Sequence, residues 1–128
     1  MILDEYRERA ALADRFPCDK HDEGGLFVAI ARPGEDWPSL VVTQCWGPSG
    51  PGFSPGVLVV PETGTVFICA GTRILCYRGD GGSWSRQWEQ TAGYPGFWSW
   101  RQHGDVVLMA GEVELAAWTI EGDRLRIE

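Results

Sequence analysis

The 128-residue sequence predicts a mainly β fold. Three observations predict it. Short apolar or alternating runs recur from Leu26 onward, and alternation with period two is the signature of a half-buried strand. Clusters of Gly and Pro separate these runs at spacings typical of β-meanders, sandwiches and barrels. Finally, Gly is high at 17 and Trp at 7. Gly supplies the turns, and Trp supplies bulk that short strands need to fill a core.

The N-terminal stretch reads differently. Residues 2–15 predict a helix, within an N-terminal segment 1–16. Ile2, Leu3, Tyr6, Ala10 and Ala13 fall on one helical stripe, Glu5 and Arg9 form a favourable i,i+4 pair, and Pro17 ends it. The polar segment 18–25 is expected to be a loop. About ten short antiparallel strands should follow over 26–128, in blade-like hairpins closing as a small barrel, a sandwich or a partial propeller. The expected strands are 26–31, 39–46, 57–60, 65–70, 73–78, 84–89, 96–101, 106–110, 114–120 and 124–128. Gly79-Asp80-Gly81-Gly82 is the clearest hairpin signal. The length fits one domain.

Charge narrows the function. The formal net charge is −7. Residues 1–24 carry seven acids against four bases, and residues 102–128 six against two. Only 73–101 leans basic, through Arg73, Arg78, Arg86 and Arg101. A nucleic-acid binder needs a basic face, and so does a protein held on an anionic membrane. Neither partner is expected. No run approaches the roughly 20 apolar residues of a membrane span, and the charged N-terminus lacks the apolar core of a signal peptide. The expected compartment is the cytoplasm, where cysteines stay reduced. The Ala, Gly, Arg and Trp usage suggests a bacterial or phage genome.

The chain also repeats. Residues 66–77 read VFICAGTRILCY and residues 106–118 read VVLMAGEVELAAW, an offset of 40. A Gly turn and a further strand follow each, giving units at 66–88 and 106–128. This pattern resembles the repeat of bacterial β-propeller proteins of the quinoprotein and WD type, over residues 57–128, whose blades recur at about 40 residues. The resemblance implies blade-like hairpin units. The chain has length for at most about three of them, against the four to eight of a propeller. The family's quinone-binding residues have no counterpart here. The alternative is that neighbouring amphipathic hairpins resemble one another without common descent.

Motifs for chemistry are sparse. Cys18 and His21 form one C-x2-H pair, but zinc needs four ligands, and Cys45, Cys69, Cys76 and His103 supply no second tight pair. Asp19, Asp22 and Glu23 lack the spacing of a calcium loop. Ser49 and Ser54 do not sit in a nucleophile elbow, and residues 47–56 do not match a phosphate-binding loop. No metal, cofactor or catalytic residue is expected.

The densest feature is aromatic. Trp84, Trp88, Tyr94, Phe97, Trp98 and Trp100 lie close in sequence with Arg86 and Arg101 among them. Alternation places Trp84, Arg86 and Trp88 on one side of a strand. Trp84, Arg86, Trp88, Trp98, Trp100 and Arg101 are therefore the candidate binding residues, because Trp and Arg dominate interface hot spots. Core filling is the competing role for the same rings. The function expected is a non-catalytic protein-binding module, immunity- or inhibitor-like, that takes a cationic protein partner on an acidic and aromatic surface. Self-association is a second expectation. The alternative is a small-molecule or sugar-binding β-domain with a Trp-lined pocket.

Overall fold

A computed structural model describes residues 8–16, 24–46, 56–70, 73–81, 83–91, 97–111 and 115–125. Eleven strands lie among them: β1 (Leu12–Arg15), β2 (Gly24–Ile30), β3 (Leu40–Trp46), β4 (Gly56–Val60), β5 (Thr65–Ala70), β6 (Arg73–Asp80), β7 (Ser83–Thr91), β8 (Phe97–His103), β9 (Val106–Gly111), β10 (Leu115–Thr119) and β11 (Arg124–Leu125). The fold is mainly β, as expected, and every expected strand segment overlaps one of β2 to β11, although β2 begins at Gly24, within the expected loop 18–25. They form three open sheets rather than a closed barrel. The central sheet is the meander β4-β5-β6-β7, and the C-terminal sheet is the meander β8-β9-β10-β11. The N-terminal sheet has the order β1-β3-β2.

The central sheet is covered on both faces. On β5, Phe67 and Cys69 face the C-terminal sheet, while Val66 and Ile68 face the N-terminal sheet. On β6, Ile74 and Cys76 point one way, and Leu75 and Tyr77 the other. None of these eight residues is more than 1% exposed. A strand buried on both faces has no polar side to show, so its sequence loses alternation. That is why VFIC and ILCY read as unbroken apolar runs.

The helix expected over 2–15 is overturned where the structure describes it. Leu12–Arg15 is a strand, parallel to β3, with Leu12 beside Leu40 and Arg15 beside Thr43. Beyond the helical geometry of Glu8 and Arg9, the described residues contain no helix; residues 1–7 lie outside them. Burial follows period two: Ala13 is exposed, Leu12 and Asp14 are half-buried, and Phe16 is buried. The helical stripe put Ala13 inside. Local helix propensity is a fraction of a kcal/mol per residue, and here it yields to edge pairing. The Leu12 N–H donates to Ser39 O at 3.1 Å and the Phe16 N–H to Thr43 O at 2.8 Å. This parallel pair is also the one departure from the expected antiparallel pairing among the described strands.

Between the central and C-terminal sheets the core is aromatic. Phe67, Trp88, Trp100 and Trp118 meet there. Trp88 stacks on Trp118 with centroids 5.1 Å apart, and Phe67 lies 5.3 Å from Trp100 and 6.1 Å from Trp118. Two of these indoles also bond the sandwich at its margins. Trp88 Nε1 donates to Gly122 O at 2.6 Å, and Trp100 Nε1 donates to Gly56 O at 3.2 Å. One bond ties β7 to the turn before β11, and the other ties β8 to β4. Gly122 fits this site because it is small and left-handed. Its φ is +100°, and a Cβ there would stand 2.9 Å from Cys76 Sγ. Trp118 is fully buried, yet its Nε1 has no acceptor among the described residues.

A bulge sets which Trp goes where. Tyr77 pairs with Arg86 and Cys76 pairs with Trp88, so Gln87 is the extra residue. Trp84 and Arg86 therefore face the N-terminal sheet, while Trp88 faces the C-terminal one. The expectation of one shared side fails at this bulge. The repeat changes register as well. Ala70 pairs with Arg73, but Ala110 pairs with Leu115, so the second hairpin is two residues longer. The 40-residue offset brings Tyr77 to Ala117, so Trp118 lies one residue further on and faces the other side of its strand.

These bonds separate two otherwise similar substitutions. Trp88→Phe strands the Gly122 carbonyl, whereas Trp118→Phe removes an N–H that has no partner among the described residues. Chemical denaturation should find Trp88→Phe the more destabilising by about 1 kcal/mol or more.

Candidate functional site

The structure disperses the candidate aromatic surface. Trp88 and Trp100 spend their rings in the core just described. Arg101 is exposed and lies on the opposite side of β8 from Trp100. Trp98 belongs to β8, and its side chain is outside the described residues. Only Trp84 and Arg86 remain together, at the junction of the N-terminal and central sheets.

That junction is a polar clasp. Tyr77 is fully buried, and its hydroxyl donates to Asp14 Oδ2 at 2.7 Å. Arg86 Nη1 donates to the same oxygen at 3.2 Å. Burial, and then the Asp14 carboxylate, push the Tyr77 hydroxyl far above its ordinary pKa, so it stays a donor. The Arg73 and Arg86 guanidiniums lie 4.6 and 5.2 Å from the Phe16 ring centroid. Arg73 also bonds Glu89 at 2.7 Å.

A second set of bonds fastens the β2–β3 turn to the β6–β7 hairpin. Arg32 Nη2 donates to Ser83 O at 2.8 Å, and its guanidinium lies 4.3 Å from the Trp84 ring centroid. It can do so because Gly79 has no side chain: a Cβ there would fall 2.1 Å from Arg32 Nη2. Trp84 Nε1 donates to Ser39 Oγ at 2.7 Å, and Ser39 Oγ donates to Glu35 Oε1 at 2.8 Å. The Arg32 backbone N–H donates to that carboxylate at 2.6 Å. The backbone bond first, and the Ser39 hydroxyl second, hold the Glu35 carboxyl below its ordinary 4.5.

The same turns gather charge. Turns β2–β3, β4–β5, β6–β7, β8–β9 and β10–β11 share one end of the stack. Hydrogen bonds between them show this: Arg32 to Ser83 O, Gly79 N to Gly64 O, Thr63 Oγ1 to Ile120 O, and Ile120 N to Asp105 O. Asp36, Glu62, Asp80, Asp105, Glu121 and Asp123 stand exposed at this end. None of the six is in an ion pair among the described residues. Arg124 turns away, its guanidinium 5.0 Å from the Trp118 ring centroid and bonded to Gln90. Sequence reading placed the acids at the two chain ends. It could not see that Glu62 and Asp80, from mid-chain turns, join Asp105, Glu121 and Asp123. The available signal was an acid in every second turn of two meanders.

Chemistry has little foothold among the described residues. Cys69 and Cys76 are buried in the aromatic core, and burial pushes the Cys76 thiol up to about 12. His103 is exposed at the end of β8. No group of three potential metal ligands exists among the described residues. Cys18, Asp19, His21, Asp22, Glu23, Ser49 and Ser54 lie outside them, as does the Cys45 side chain. The described residues form a cleft of about 440 Å³, lined by Thr63, Arg78, Gly79, Asp80, Ser85 and Gln87. It is polar, and no Trp lines it.

Among the described residues no helix is long and apolar enough to cross a membrane, which says nothing of strands. No protein-family model, curated protein or solved structure matches the chain.

Two outcomes follow from the clasp. Asp14→Ala leaves the buried Tyr77 hydroxyl without its acceptor and should cost about 1–3 kcal/mol in urea denaturation. The stability supplied by Glu35 is complete above pH 4.5 and is lost as pH falls through its lowered folded value. Glu35→Gln should therefore flatten the fall in stability below pH 4.5, measured as denaturation midpoint against pH.

Proposed function

We propose that this chain is a non-catalytic protein-binding module, immunity- or inhibitor-like, whose acidic end docks on a cationic partner protein. One observation carries the reading: six exposed carboxylates at five turns converge on one end with no ion pair among the described residues. Each is solvated and available, so the end projects a negative potential that steers a basic surface toward it. The fold supports the same reading. Turns held at several points by backbone and side-chain bonds present their charges in fixed positions, and fixed groups lose little freedom on binding.

The aromatic share of this surface reduces to Trp84, half-buried at its border. The Trp-lined sugar pocket is less favoured, since Trp88 and Trp100 fill the core and no Trp lines the described cleft. We also read the two four-stranded meanders as copies of one blade-like unit, on the strength of the 40-residue offset between the runs that begin at Val66 in β5 and Val106 in β9. The duplication concerns the scaffold and leaves the docking reading unchanged.

The test is affinity capture by the immobilised chain at low and high salt, beside a variant carrying Glu62→Lys, Asp105→Lys and Glu121→Lys. One stoichiometric basic partner should be retained at low salt, be released by high salt, and be absent from the variant. A partner retained equally by the variant, or none at either salt, would exclude docking through this end.

A further inference from the structure

The polar cleft beside the β6–β7 hairpin belongs to neither clasp nor core. It opens on the face of the central sheet that carries Cys76, beyond the aromatic rings. Its groups divide into donors and acceptors. Arg78 is exposed, and its guanidinium has no carboxylate partner among the described residues. Asp80, two residues along on the same face, likewise has no ion pair there. Two residues of strand separate them by about 7 Å, so opposite charges flank the opening without neutralising each other. Ser85 Oγ accepts from Gln87 Nε2 at 2.9 Å, which leaves the Ser85 hydrogen free to donate and the Gln87 carbonyl free to accept. Gln87 is the bulge residue, and bulges commonly re-aim a side chain into a site.

These groups describe the ligand. Arg78 suits a carboxylate, because its planar fork binds one with two parallel hydrogen bonds. Asp80 and the Gln87 carbonyl suit an ammonium. The cleft is lined by polar side chains and a glycine, with no hydrophobic residue, so the ligand is small and carries polar groups at its ends. The surrounding acids Glu62, Asp105, Glu121 and Asp123 disfavour a simple anion and favour a net cation. We propose that the cleft binds a free cationic amino acid, its carboxylate on Arg78 and its α-ammonium on Asp80. This inference does not require partner docking: it shares Asp80 and the neighbouring acids with that reading, but Arg78 and the cleft are its own.

Amide NMR on the full chain, titrated with L-lysine, tests it. Saturable shifts are expected at Gly79, Asp80, Ser85 and Gln87. Nα-acetyl-L-lysine, which lacks the α-ammonium, and L-lysinamide, which lacks the carboxylate, should each bind at least about tenfold more weakly, a difference of about 1.4 kcal/mol. Arg78→Gln and Asp80→Asn should weaken L-lysine to the same degree. Both positions are exposed, and the spectra themselves report that each variant is folded. Shifts that do not saturate would overturn the proposal. So would equal binding of lysinamide, which marks a general cation effect of the acidic end. Equal binding of Nα-acetyl-lysine would instead assign the site to a chain terminus. L-lysine binding unchanged in both variants would place it elsewhere.

Discussion

Strands β5 and β6 leave no face for water, and this double burial organises the rest of the chain. A sheet with two apolar faces needs a layer on each. The C-terminal meander supplies one, bringing Val107, Met109, Ala116 and Trp118 against Phe67, Cys69, Ile74 and Cys76. The N-terminal sheet supplies the other, bringing Phe16, Val28, Leu40 and Val42 against Val66, Ile68, Leu75 and Tyr77. The two interfaces differ in kind. The first is aromatic, and its polar atoms are indole N–H groups bonded to backbone carbonyls at the margins. The second is aliphatic apart from Phe16, Tyr77 and the bordering Trp84, and its polar atoms form side-chain bonds through Asp14, Ser39 and Arg32. Among the described residues most of the polar groups buried here are hydrogen-bonded, as a dense interior requires, and the Trp118 indole nitrogen is an exception.

Strand positions were legible because turn chemistry is local. Gly34, Gly64, Gly81, Gly104 and Gly122 take positive φ, each within or beside a turn between consecutive strands. A run between two such residues is a strand almost by subtraction. What could not be read was layering. Whether VFIC is buried on one face or two is a property of its neighbours. Likewise, Leu12 to Arg15 became a strand because β3 offered an unpaired edge and Tyr77 needed an acceptor, and neither fact is local. Ala, Leu and Arg are good helix formers, so the short-range signal pointed away from the result.

Site residues failed to group for a related reason. Trp84, Trp88 and Trp100 share a parity that suggests one face, but the single extra residue at Gln87 flips the register between the first two. The sheet boundary then places β7 and β8 in different layers. Sequence proximity therefore gathered rings that the fold distributes. The acidic end shows the converse. Glu62 and Asp123 are far apart in the chain, yet alternate turns of a meander lie at the same end, so acids placed in those turns converge. Charge in turns carried more spatial information than aromatics in strands, because a turn has one place to be and a strand residue has two faces to choose between.

The position of β1 in the chain has a consequence for assembly. Asp14 is 63 residues from Tyr77 and 72 from Arg86. Such separations slow folding, because closing a long loop must precede the contacts that reward it. On a ribosome elongating at roughly 5–20 residues per second, the N-terminal strand emerges about 3–13 s before Tyr77. Within that interval its edge gains β3 as a partner once β3 has followed, but its side chains have no central sheet to rest on. β1 is thus made early but locked only when β6 and β7 arrive, and completion of the N-terminal layer waits for them.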